Sequence, residues 1–110
     1  MISSSHRVSK NLFPKALSSG KNSSGTLHTL HVSKIEMPKS KFSVVVSKKV
    51  EKSAVKRNLL RRRCYSILKE SEPSLEKGIY LLFLKKDSAR ASFGELQSDI
   101  NDSLKRYKSI

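Results

Sequence analysis

Arg57, Asn58, Arg61, Arg62 and Arg63 lie within one seven-residue stretch, and Lys48, Lys49, Lys52 and Lys56 come just before it. Such residue types bind anions. A planar guanidinium makes two parallel hydrogen bonds to a phosphate, an ammonium adds a point charge, and an amide supplies both a donor and an acceptor. Between Ser47 and Lys69 only Glu51 opposes these cations, so the usual alternation of Lys and Glu on a solvated helix face is missing. Without a neutralising anion the four arginines repel one another, and the pattern therefore favours binding over mere solvation. Tyr65, a little further on, offers a ring that stacks on an unpaired base.

Catalysis by protein groups has no comparable signature. Phosphodiester hydrolysis needs carboxylates that hold metal ions, or a His acid/base pair. The acidic residues fall mainly from Glu70 onward, away from the basic cluster. His6, His28 and His31 lack a Cys or carboxylate at metal-ligand spacing, so ordinary surface or strand roles are expected and no metal is assigned to protein side chains. Cys64 is the single cysteine, which fits a small buried apolar residue in a reducing, cytoplasm-like compartment. Over all 110 residues, 23 Lys and Arg stand against 9 Asp and Glu, giving a formal charge of +14 and a pI near 10.2. That balance points to polyanionic partners, nucleic acid first and an anionic membrane surface second. No apolar run is long enough to span a bilayer, and no membrane role is assigned. Residues 1 to 35, rich in Ser and basic residues and without Asp or Glu, bear a faint likeness to an organelle transit peptide; the same stretch is also needed by the fold below.

The elements that position these groups follow from pattern and punctuation. Residues 1–10 read as a flexible basic N-terminus and 11–110 as a single domain whose charge suits nucleic acid. "NLFPKALSSGKN" reads as a short helix capped by Asn11, with Pro14 in its first turn and a stop at Gly20. "TLHTLHVSKI" alternates, placing His28, Leu30 and Val32 on one face and Thr29, His31 and Ser33 on the other. After a turn at Met37-Pro38-Lys39-Ser40, Phe42 to Lys48 read as a second strand, and the tight spacing predicts an antiparallel hairpin between the two. From Ser53, a candidate N-cap, to about Ser71, Leu60, Cys64, Ile67 and Leu68 recur at helical spacing. On that helix Arg57, Asn58, Arg61, Arg62, Tyr65 and Lys69 share one broad side, while Arg63 and Lys56 lie nearer the apolar side as edge residues. "IYLLFLKK" predicts a buried strand, and Ser92 with Glu95 predicts a capping box for a last helix carrying Phe93, Leu96, Ile100 and Leu104. The fold class is α+β, a small single-domain α/β sandwich in the order α-β-β-α-β-α.

The stretch "SKKVEKSAVKRNLLRRR" resembles the signature of the bacterial ribonuclease P protein component, a strand ending in Ser-Lys-Lys followed by a helix with an Arg-Asn-Arg motif and further cations. Ser47, Lys48, Lys49, Ala54, Val55, Arg57, Asn58, Arg61 and Arg62 match it. Leu59 stands in place of the motif's second arginine, Tyr65 in place of a distal arginine, and Glu51 in place of a small residue. "HRVSKNLFPKALSSGK" is similar to the family's first helix, with Phe13 at its substrate-facing aromatic and Leu17 where a second aromatic is common.

The resemblance implies a central mixed sheet with a left-handed strand-helix-strand crossover, an exception to the general rule. It also implies an accessory subunit of an endonuclease that removes the 5′ leader from precursor tRNA, with Mg2+-dependent catalysis by an RNA subunit. The protein is then expected as a monomer in a 1:1 complex with ribonuclease P RNA in the bacterial cytoplasm. RNA contacts fall to Lys48, Lys49, Lys52, Lys56, Arg57, Asn58, Arg61, Arg62, Arg63 and Tyr65, and leader contacts to Phe13, Leu17 and His31, with Phe13 equally suited to the core. A ribosomal or RNA-chaperone protein would use the same charge without a catalytic RNA. A helix-turn-helix DNA-binding protein is disfavoured, because no second short helix precedes Ser53.

Overall fold

The computed structural model describes residues 20–34 and 40–107; the expected first helix, the N-terminal segment and most of the turn around Pro38 lie outside them. Four strands form one mixed sheet: β1 (Lys21–Ser24), β2 (His28–Ser33), β3 (Lys41–Val45) and β4 (Ile79–Leu84), in the spatial order β1-β2-β4-β3. Among the described residues two α-helices, α1 (Ala54–Ser71) and α2 (Phe93–Leu104), accompany it, with short 3-10 turns at Glu72–Ser74, Lys86–Arg90 and Lys105–Tyr107. The α+β class and mixed sheet expected from the sequence are present.

The expected hairpin is not. β2 and β3 do not pair; β4 lies between them, antiparallel to β2 with His31 opposite Leu81, and parallel to β3 with Val44 opposite Leu82. The reason lies in β4 itself. A strand apolar on both faces is most stable at the centre of a sheet, and Ile79, Tyr80, Leu81 and Leu82 are all essentially inaccessible. The real hairpin is β1–β2, with Ser24 opposite Thr29 and a turn through Gly25. A Cβ at Gly25 would come within 2.6 Å of the His28 ring and 2.8 Å of an Asp99 carboxylate oxygen, so only glycine fits there.

One face of the sheet supplies Leu30, Val32, Phe42, Val44, Tyr80, Leu82 and Leu84 to a core completed by Leu60, Cys64, Ile67 and Leu68 of α1 and Leu96, Ile100 and Leu104 of α2. Phe42 stacks on Tyr80 with ring centroids 5.3 Å apart. The register puts Thr29, His31 and Ser33 on the opposite face, as the alternation predicts. α2 opens with the expected capping box: the Glu95 N–H donates to Ser92 Oγ at 3.2 Å and the Ser92 N–H to Glu95 Oε1 at 3.1 Å.

Cys64 is fully buried, and that burial pushes its thiol up to about 12. The native protein is accordingly expected to resist alkylation at neutral pH and to label only on unfolding. Rapid labelling of native protein, followed by mass spectrometry, would contradict this placement.

Candidate nucleic-acid interface

α1 is built to hold cations where a helix least favours them. Ser53 caps it, its Oγ accepting the Lys56 N–H at 3.3 Å, yet no acidic residue occupies the first turn. Lys52, Lys56 and Arg57 instead crowd the positive end of the helix dipole, an arrangement that costs stability unless an anion arrives. The buried stripe Leu60, Cys64, Ile67 and Leu68 fixes the rotation of the helix, so its other side faces outward.

Lys48 and Lys49 stand exposed in a tight turn closed by Val50 and Glu51 N–H groups that donate to the Ser47 carbonyl at 3.1 and 3.2 Å. Lys52, Lys56, Asn58 and Arg62 are exposed, whereas Arg57, Arg61 and Arg63 are half-buried. Among the described residues, no salt bridge to a carboxylate engages any of these eight cations. Self-repulsion is therefore left for a partner to relieve.

Arg57 has a second task. Its Nη1 donates to the carbonyls of Glu51 at 2.9 Å and Lys52 at 2.8 Å, tying the lysine-bearing loop to the helix. Replacing Arg57 by Ala is expected to cost about 1–2 kcal/mol and to speed amide exchange over residues 47–52; unchanged exchange there would contradict the bracing role. Arg61 Nη2 donates to Asn58 Oδ1 one turn away, which holds both side chains on the outer surface. Tyr65 is placed otherwise than a free stacking group: it packs against the core, and its hydroxyl accepts the Val44 N–H at 3.2 Å. It docks α1 on β3.

Two cations went unnoticed in the sequence. Lys86 and Arg90, on the 3-10 turn after β4, meet Lys49, Lys52 and Lys56 around a hollow of about 590 Å3, with Glu51 and Asp87 also in its wall. No sequence pattern joins them to the basic stretch; the sheet order does.

His31 lies on the sheet face away from the two helices, 7% exposed, with Nδ1 2.5 Å from Asn22 Oδ1. Phe13 and Leu17 lie outside the described residues.

His28 is on the other face, fully buried, with Nδ1 2.6 Å from Asp99 Oδ2 and Nε2 2.8 Å from Ser103 Oγ. Asp99 also accepts the Thr26 and Leu27 N–H groups at 3.0 and 2.9 Å. Burial alone would raise the Asp99 carboxyl, but the Leu27, His28 and Thr26 hydrogen bonds outweigh it and hold the group below the ordinary value of 3.8. Although the Asp-His-Ser connectivity matches that of an activated nucleophile, His28 and Ser103 are 0% and 6% exposed. The cluster clamps the β1–β2 turn to α2.

The family model described as Ribonuclease P matches residues 3–108. A ribonuclease P protein component from Synechococcus sp. (strain JA-2-3B'a(2-13)) is 38% identical over 68 residues, 61% of this chain and 51% of that protein. The chain thus aligns with about half the length of this curated relative. In fold, the chain is similar to the RNase P protein of Staphylococcus aureus, with a TM-score of 0.84 at 18% identity over 92% of this chain and 94% of that one. It is similar also to the RNase P protein of Thermotoga maritima, with a TM-score of 0.81 at 22% identity over 94% and 98%. With a family model covering nearly the whole sequence and a basic helix whose cations find no carboxylate partner within the described fold, the chain belongs to the Ribonuclease P family.

Proposed function

We propose that this chain is the protein subunit of ribonuclease P, gripping the catalytic RNA through the turn at Lys48 and the outer side of α1, and assisting removal of the 5′ leader from precursor tRNA. The observation that carries the reading is the cationic surface from Lys48 to Arg62, whose Lys and Arg side chains make no salt bridge to a described carboxylate. Lys86 and Arg90 extend it around the hollow beside α1. Contacts to phosphates and unpaired bases need little sequence specificity, which suits leaders of differing sequence.

In this reading the RNA subunit carries out the hydrolysis, and Mg2+ is held by its phosphates. Around the hollow Lys49, Lys52, Lys56, Lys86 and Arg90 outnumber Glu51 and Asp87, so this face disfavours a divalent ion but neutralises phosphates, freeing the RNA to fold around its metals at lower magnesium. The sheet face opposite the helices carries His31, which, bonded to Asn22, shapes the wall of a leader groove rather than stacking on the leader. Further leader contacts fall in this reading to Phe13 and Leu17, as the family resemblance implies. The complex is 1:1 and cytoplasmic.

Reconstitution tests the proposal. Adding the purified protein to a bacterial ribonuclease P RNA at low magnesium is expected to restore cleavage of the precursor tRNA leader. RNA binding without any stimulation would instead favour a ribosomal or chaperone-type role.

A further inference from the structure

Two large apolar side chains stand in the middle of the cationic surface. Val55 is 79% exposed and Leu59 45% exposed, one turn apart on α1. At about 100° per residue, Val55, Leu59 and Arg62 project within roughly 60° of one another, on the side of the helix opposite Cys64. They form the outermost ridge. Water-exposed Val and Leu are unfavourable there, and the core, already filled by Leu60, Cys64, Ile67 and Leu68, makes no use of them.

We propose that Val55 and Leu59 form an apolar step that receives the face of an unpaired nucleobase of the RNA partner, while Asn58 and Arg62 beside them hold the flanking backbone. This rests on the functional reading above and names the kind of contact made at the centre of its site. Charge decides the occupant. Lys52, Lys56, Arg62 and Arg63 surround the pair, so a second copy of the chain would bring like-charged rings face to face, whereas a polyanion with an unstacked base satisfies both the ring and the step. A base packed on aliphatic side chains releases no counterions, so this part of the affinity is insensitive to salt, unlike the phosphate contacts around it.

Affinity for ribonuclease P RNA, measured against salt for the unaltered protein, L59A and L59R, tests the proposal. Circular dichroism first verifies that these surface changes leave the fold intact. L59A is expected to bind about 5- to 10-fold more weakly at every salt concentration, with an unchanged slope of log affinity on log salt. L59R is expected to steepen the slope by about 0.7 to 0.9 and to remain weaker than the unaltered protein at high salt. An L59A affinity equal to that of the unaltered protein, or a deficit that disappears at high salt, would overturn the proposal. So would sedimentation showing a dimer that L59R dissociates, which would assign the ridge to a second copy. The broader reading stands or falls separately: it fails if the unaltered protein gives no saturable binding and no stimulation of leader cleavage, and it survives if only the L59A and L59R results go the wrong way.

Discussion

Replacing Arg61 and Arg62 together by alanine is expected to weaken binding to ribonuclease P RNA by about 30- to 150-fold near physiological salt while leaving the thermal midpoint almost unchanged. Each charge-assisted contact to phosphate contributes roughly 1–1.5 kcal/mol at an exposed site, and two such losses give that range. Arg62 is exposed and Arg61 bonds to its neighbour Asn58 on the same helix, so removing them spares the core. The salt dependence follows from the same account. With about five phosphates neutralised on a single strand the slope of log affinity on log salt is near −3.5, and losing two contacts brings it to about −2. Binding curves over a range of salt check both quantities. A large fall in affinity with an unaltered slope would mean that these arginines do not meet phosphates. The pair Arg61 and Arg62 makes a cleaner test than one including Arg57, whose guanidinium also braces the loop carbonyls of Glu51 and Lys52.

The second large effect concerns stability. Replacing Asp99 by Ala strips the acceptor from three donors at once, the N–H groups of Thr26 and Leu27 and the buried ring of His28. The expected loss is roughly 3 kcal/mol, or a midpoint lower by about 10–15 °C for a domain of this size. Asn at this position restores shape but turns one acceptor into another donor, so D99N is expected to be nearly as harmful. The pH dependence has a definite sign. Because the folded carboxyl titrates below its unfolded value of 3.8, its contribution is fully present above that value and is lost as pH falls through the lower folded one. The gap in stability between the unaltered protein and D99A should therefore be constant near neutrality and narrow below about pH 4. Denaturant unfolding at several pH values checks this; a gap that stays constant down to pH 2 would show that the ionised carboxylate is not its source.

Where a side chain's role depends on its own neighbours in sequence, the sequence was readable. Ser53 and Ser92 cap the two helices as expected, and the stripe Leu60, Cys64, Ile67 and Leu68 faces the core as its spacing requires. Ile79–Leu84 is a buried strand because an unbroken apolar run has few other places to go. The sheet order was harder. Proximity in sequence favoured pairing β2 with β3, but a strand apolar on both faces takes the centre whatever its distance along the chain. β1 escaped notice because Lys-Asn-Ser-Ser has no apolar alternation and becomes a strand only through its partner, β2.

The same division runs through the candidate site. The exposed cations Lys48, Lys49, Lys52, Lys56 and Arg62 are legible from composition and helical phase alone. Arg57's bonds to two backbone carbonyls are not, since a carbonyl leaves no mark in the sequence. Tyr65 falls on the basic side by phase, yet its length lets the hydroxyl reach back to β3. His28 and Asp99 are 71 residues apart, and only the packing of α2 against β2 brings them together. Lys86 and Arg90 join the basic surface for a similar reason.

Because Cys64 is buried and unreactive, an introduced surface cysteine becomes the single reactive thiol, which permits a direct map of the RNA. A hydroxyl-radical-generating probe attached through Ser66→Cys, on the exposed ridge of α1, is compared with one attached through Ser98→Cys, exposed on α2. Strong, localised scission of ribonuclease P RNA from position 66 and little from position 98 is the expected pattern. Scission from position 98 with none from position 66 would place the RNA on the other helix and contradict the assignment of the basic surface.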